Sequence, residues 1–271
     1  MQEKFIDIER IIKSKNPKLL KILPKFLINY LKRIAHQDDI NEILDDFKDI
    51  YDYEFCDALI KRLNIKVNVK GQENIPTNGG FIFASNHPLG GMDAMALVTV
   101  IEPYRRDVKF IVNDILLNLN NLKGLFVGVN KHAGNTKESL QLIDELFASN
   151  KAVFVFPAGL VSRRTNGKIA DLEWKKTFIT RAKKHNKDII PVFVGGSLSN
   201  FFYRLSNLRK TFGIKANLEM LYLSDESFRQ KNKSLDIIFG KPIPSSFFDG
   251  SKSDKEWAEW MENTVHQMKE N

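Results

Sequence analysis

A single cysteine, Cys56, leaves no partner for an intrachain disulfide, which suits a reducing compartment and makes a plain buried thiol the simplest reading of that residue. Long apolar runs are missing as well. The longest, Phe81 to Ala84, Ala152 to Phe156 and Ile189 to Val194, fall far short of the roughly 20 residues that span a bilayer as a helix. No N-terminal segment joins basic residues, an apolar core and a small-residue cleavage site. These absences predict a cytoplasmic protein that does not cross a membrane. There is no G-x-S-x-G elbow to present a nucleophilic serine. There is also no H-E-x-x-H or cysteine cluster to hold zinc, and the histidines are scattered, so no metal or cofactor is implied. "GVNKHAGNTK", Gly128 to Lys137, fails as a phosphate loop, because five residues rather than four part its glycines and Asn135 stands where lysine is needed.

What is present is a chain of 271 residues, 43% of them hydrophobic, enough for a substantial core and too many for disorder. The excess of 41 Lys+Arg over 33 Asp+Glu gives a net charge of +8 and points to an anionic partner: nucleic acid, an anionic membrane surface or an acidic carrier protein. Part of that charge lies in "NPKLLKILPKFLINYLKRIAH", Asn16 to His36, which interleaves lysines with Leu, Ile and Phe. This composition fits a cationic segment lying in a membrane interface, and it equally fits a helix packing its apolar face on the domain. Pro24 predicts a break or kink within it.

Residues 1–63 read as a helical region with possible membrane-surface contact, and residues 64–271 as an α/β domain. In the second region short β-rich runs (Phe81–Ser85, Lys109–Val112, Leu125–Val129, Ala152–Phe156, Ile189–Val194) alternate with helical stretches such as Thr136–Ala148 and Glu173–Lys184, which predicts a mostly parallel central sheet flanked by helices. Ligands gather at the carboxyl ends of parallel strands. Four of these runs end in polar or glycine-rich clusters: Asn86-His87-Pro88, Asn130-Lys131-His132, Pro157-Ala158-Gly159 with Ser162-Arg163-Arg164, and Gly195-Gly196-Ser197.

Histidine moves protons near neutral pH, and a carboxylate on its second ring nitrogen fixes the tautomer, so His87 and Asp93 form a candidate catalytic pair, with Gly90 and Gly91 allowing the loop to fold back between them. A helix-capping aspartate is the competing reading of Asp93. Arg163 and Arg164 read either as anion ligands or as a solvated basic turn. In "NFFYRLSNLRKTF", Asn200 to Phe212, core packing of Phe201, Phe202 and Leu205 is expected over a binding role.

"SNHPLGGMD", "KGLFVGVNKH", "VFVFPAGLVSRR" and "IIPVFVGG", in that order, resemble the four successive blocks of the glycerol-phosphate and lysophosphatidate acyltransferase superfamily over roughly Val67 to Ile243. The chain looks closest to the hemolysin-like branch, which includes O-acyltransferases of ornithine-type and glycine-type aminolipids. The resemblance implies acyl transfer without a covalent enzyme intermediate. His87 would be the base, Asp93 its orienting acid, and Asn86, Gly90, Gly91, Lys131, Pro157, Gly159, Ser162, Arg163 and Arg164 would contribute to substrate binding. Backbone N–H groups near Gly90 and Gly91, or near Gly159, would hold the oxyanion.

Five residues, not the family's usual four, separate His87 from Asp93, as in the hemolysin-like branch. The third block carries Ala158, Leu160 and Val161 where the family has glutamate, threonine and arginine, and Lys131 takes an arginine position of the second. Losing those bidentate forks moves the expected acceptor from a phosphate toward a carboxylate. The expected reaction is transfer from acyl-carrier protein or acyl-CoA to a lyso-aminolipid hydroxyl, by an enzyme peripheral on the inner face of the cell membrane. No nucleic acid partner is expected. Lysophosphatidate acylation and a non-catalytic membrane- or nucleic-acid-binding role are the alternatives.

Overall fold

In the computed structural model of the chain, residues 5–113, 116–117, 119–129, 137–165 and 167–270 are described. Asn130, Lys131, His132 and most of the glycine-bearing "GVNKHAGNTK" lie outside them.

The chain opens with four short helices, α1 (Ile8–Lys15), α2 (Pro17–Ile22), α3 (Lys25–Ile34) and α4 (Gln37–Asp46). Local chemistry sets their ends. The Asn16 side chain accepts from the Lys18 and Leu19 amides while Pro17 opens α2, and Pro24 stands at the N-cap of α3. The cationic stretch is thus two helices broken at Leu23-Pro24 rather than one rod.

There follow α5 (Asp52–Arg62), β1 (Lys66–Lys70), β2 (Phe81–Ser85), α6 (Gly91–Ile101), β3 (Val108–Asn113), β4 (Phe126–Val129), α7 (Lys137–Ala148) and β5 (Ala152–Val155). A small antiparallel hairpin, β6 (Arg163–Thr165) and β7 (Lys168–Ala170), precedes α8 (Thr177–His185), β8 (Ile189–Val194), α9 (Asn200–Thr211), α10 (Leu223–Phe228), β9 (Ser234–Phe239) and α11 (Asp254–Gln267). Ser253 and Glu256 close a capping box at the start of α11.

Seven strands form one sheet in the order β1-β9-β8-β2-β5-β3-β4. Neighbours run parallel except β8 and β9, which pair antiparallel. The sheet is therefore mostly parallel and the architecture α/β. Strands β2, β5 and β8 are buried along nearly their whole lengths, as strands covered on both faces must be, which is why they read in the sequence as unbroken apolar runs. β9 was not among the expected runs: its buried and exposed residues alternate, so it carries a weaker signal.

Two compact units emerge. One comprises Met1–Asp49 with Leu198–Lys231; the other comprises Ile50–Ser197 with Asn232–Asn271 and holds the sheet. Within the second, Phe83, Phe154 and Phe110 stack in sequence, with centroids 4.4 and 4.9 Å apart. Cys56 is fully buried with its Sγ 3.4 Å from Met95 Sδ, and burial pushes its thiol well above the ordinary range. Trp174 and Trp257 are core residues, and Trp260 packs against the same cluster. No helix among the described residues is long and apolar enough to cross a membrane.

Candidate active site

Because β2, β3, β4, β5 and β8 are mutually parallel, their carboxyl ends share one rim. The first rim residue, Asn86, works as a clamp. Its Nδ2 donates to the Val194 carbonyl and its Oδ1 accepts from the Val194 N–H, both at 2.7 Å, so β2 and β8 are locked together just where the strands end. With both ends of the amide used on backbone, Asn86 positions the neighbouring loop.

His87 follows. Its Nδ1 lies 2.9 Å from Asp93 Oδ2, and its ring stacks on Phe156 with centroids 4.1 Å apart. The side chain is 17% exposed, and among the described residues no group hydrogen-bonds Nε2. A carboxylate accepting from Nδ1–H leaves the Nε2 lone pair as the basic site of a ring stacked on Phe156.

Asp93 lies in the first turn of α6, a helix with no other charged residue and apolar nearly all round. Such a helix belongs in the interior, and Asp93 is accordingly 0% exposed. Burial pushes its carboxyl above the ordinary range, while the hydrogen bonds from His87 Nδ1 and from the Leu89 N–H, at 3.0 and 3.2 Å to its two oxygens, oppose that shift. A buried carboxylate so placed gains most when its partner becomes an imidazolium, and that is the state a general base passes through. The loop reaches this geometry through Gly90, whose φ of 73° and ψ of −132° suit glycine alone. Gly91 heads α6, so its N–H has no acceptor within the helix. The Gly159 N–H, by contrast, already donates to the Phe156 carbonyl at 2.9 Å in a turn where Gly159 has φ 68°. Among the described residues the Gly91 N–H has no such acceptor.

The third block is bound to the first through Asp171, which sequence reasoning missed. Asp171 Oδ1 accepts from the His87 main-chain N–H at 3.3 Å and from Ser162 Oγ at 2.5 Å, and Oδ2 accepts from Trp174 Nε1 at 3.0 Å. The Ser162 N–H in turn donates to the His87 carbonyl at 2.9 Å. Ser162 is thus buried and stitches the two blocks together. Pro157 is also buried, and its carbonyl accepts from the Lys175 N–H at 3.1 Å. Near this cluster Glu262 of α11 is pushed up to about 7 by burial and by the Asp171 charge. Nothing in its spacing marks Asp171 in the sequence, and Glu262 sits in an ordinary amphipathic helix.

Arg163 is not in a solvated turn. It is buried on β6, with Nη1 donating to the Val161 and Ser162 carbonyls at 2.6 and 3.3 Å, while Arg164 is partly exposed beside it. The structure therefore brings His87, Asp93, Gly90, Gly91, Ser162, Arg163 and Phe156 around one strand-end rim, and Lys131 falls outside the described residues.

The His87–Asp93 pair thus lies beside the head of α6, at the carboxyl end of the parallel strands. The chain belongs to the acyltransferase family: residues 10–271 match the family described as Acyltransferase. It is similar to the lyso-glycine lipid O-acyltransferase of Bacteroides thetaiotaomicron, 46% identical over 265 residues that cover 97% of each chain. It is also similar to the lyso-glycine lipid O-acyltransferase of Phocaeicola vulgatus, 42% identical over 265 residues covering 97% of this chain and 95% of the relative. Among solved structures it is similar to the 1-acyl-sn-glycerophosphate (LPA) acyltransferase PlsC of Thermotoga maritima, with a TM-score of 0.48 and 19% identity over 90% of this chain and 91% of the other.

Proposed function

We propose that the protein transfers a fatty acyl group from a thioester donor, acyl-carrier protein or acyl-CoA, to the hydroxyl of a lyso-aminolipid of the glycine type. The observation that carries this reading is the His87–Asp93 pair, set on the sheet rim of a chain whose relatives, similar over nearly their full lengths, are lyso-glycine lipid O-acyltransferases. His87 Nε2 takes the proton of the acceptor hydroxyl as that oxygen attacks the thioester carbonyl. The C–O bond forms, the C–S bond breaks, and the proton passes from His87 to the departing thiolate. Asp93 holds the imidazole and stabilises its cation, and the N–H groups at Gly90 and Gly91 face the transient oxyanion. Lys131, Arg163 and Arg164 are the proposed basic partners of the acceptor's carboxylate.

The acceptor is a lipid, so the reading includes work at an anionic membrane surface, on the cytoplasmic face. It is supported by the basic excess and by the strongly exposed Ile22 and Phe26 among Lys18, Lys21 and Lys25. The deciding assay supplies purified protein with acyl-carrier-protein and CoA thioesters and, in parallel, a mono-acylated glycine bearing a free hydroxyl and lysophosphatidate. Turnover of the glycine lipid is expected. Efficient turnover of lysophosphatidate with none of the glycine lipid would replace this reading with phospholipid synthesis.

A further inference from the structure

Helix α9 has its polarity reversed. Its inward face carries Phe202 and Tyr203 but also Ser206 and Arg209, all buried. Arg209 meets Glu219, itself fully buried, through Nε to Oε2 at 2.5 Å and Nη2 to Oε1 at 3.0 Å, and its Nη1 donates to the Ile214 carbonyl at 3.2 Å. The outward face is apolar: Phe201 is 50% exposed, Leu208 55% and Phe212 72%, at helical spacing with half-buried Leu205 between them. Ile214, Leu218 and Leu221 continue the exposed apolar surface past the helix end. Phe201 was expected in the core, and only its neighbour Phe202 is there.

A face in water ordinarily places its charges outward, because a buried ion pair recovers little of its desolvation cost. Here the ion pair is inside and six bulky apolar side chains are outside. From residue 200 to 218 there is no acidic residue, while Arg204, Lys210 and Lys215 are exposed among the apolar groups. Thr211 Oγ1 donates to the Asn207 carbonyl at 3.2 Å. Phe201 also borders a recess of about 330 Å3 that has Arg33 and Arg229 on its wall, with Asp225 there already bound to His36 and Arg229. Bulky apolar groups with cations of one sign match an anionic lipid interface, which takes the apolar side chains below its headgroups and pairs the cations with phosphates.

We infer that the outward face of α9, continued through residues 212–221, docks on an anionic bilayer. This rests on the membrane-surface part of the proposed function and adds to it a second element, far along the chain from the N-terminal cationic stretch.

The test is co-sedimentation of the full chain with vesicles of equal parts phosphatidylglycerol and phosphatidylcholine. It compares the unaltered protein, Leu208→Glu with Phe212→Glu, Lys210→Glu with Lys215→Glu, and Ile22→Glu with Phe26→Glu. Circular dichroism and melting confirm that each variant folds. Both α9 variants are expected to bind more weakly, the apolar pair on the order of a hundredfold, with turnover of a short-chain soluble acceptor unchanged. If the α9 variants bind as the unaltered protein does while the Ile22/Phe26 variant does not, the inference is wrong and the membrane reading stands. Should the unaltered protein fail to bind these vesicles, both fall. A dimer that the Leu208/Phe212 variant splits, with vesicle binding unchanged, would assign the face to a second copy of the chain and overturn the inference.

Discussion

The main-chain N–H of His87 donates to Asp171 Oδ1 at 3.3 Å across 84 positions of sequence. The same carboxylate takes the Ser162 hydroxyl and the Trp174 indole, so three segments meet on one side chain. Asparagine in its place would present an N–H2 group to one of these donors. Asp171→Asn is expected to lose about 1–3 kcal/mol of stability and to lower kcat by on the order of tenfold to a hundredfold through displacement of His87, with KM little changed. Steady-state kinetics and thermal melting measure both. A raised KM with intact kcat would move Asp171 from positioning to substrate binding.

For the proposed base, His87→Ala is expected to lower kcat by on the order of a thousandfold or more while leaving circular dichroism and melting close to those of the unaltered protein, because the side chain sits at the edge of the core. Asp93→Asn keeps the shape and loses the charge, so a comparable loss of kcat is expected. Activity retained by His87→Ala would remove the pair from the mechanism.

The two adjacent glycines separate by backbone geometry. Gly90→Ala forces a side chain into φ 73° and ψ −132° and is expected to cost about 1–3 kcal/mol. Gly91→Ala places its Cβ in open space at the head of a helix and is expected to be neutral or stabilising by up to about 1 kcal/mol. Denaturant melts of the two variants check this, and equal effects would contradict it.

Glu262 supplies a pH dependence. Its carboxyl moves from an ordinary 4.5 to about 7 in the folded chain, through burial first and the Asp171 charge second. An acid whose folded value is raised binds more protons folded than unfolded between those two values. Stability therefore falls as pH rises through that window, and the penalty is complete above it. Glu262→Gln is expected to melt above the unaltered protein at pH values beyond about 7 and level with it below the ordinary carboxylate range. A gap that does not change with pH would show that Glu262 is not the titrating group.

Much of this was legible in the chain. Parallel strands covered on both faces must be apolar throughout, so Phe81–Ser85, Ala152–Val155 and Ile189–Val194 announce themselves, and the residues that follow them fall on one rim. His87 and Asp93 sit within one loop and one helical turn, close enough for local geometry to join them. β9 was not visible, because an alternating strand paired antiparallel to β8 and parallel to β1 depends on partners remote in sequence.

Order along the chain dictates which residues share a helix face or a strand end, since those follow from periods of a few residues. Which remote residues meet is decided only when the chain packs. Asn86 finds Val194 and Asp171 finds His87 because folding brings distant loops to the same rim. Likewise the sequence of α9 shows that Phe201, Leu208 and Phe212 lie on one side, but not that this side faces outward. That depends on the Arg209–Glu219 pair and the packing of Phe202 and Tyr203, which turn the opposite face into the interior.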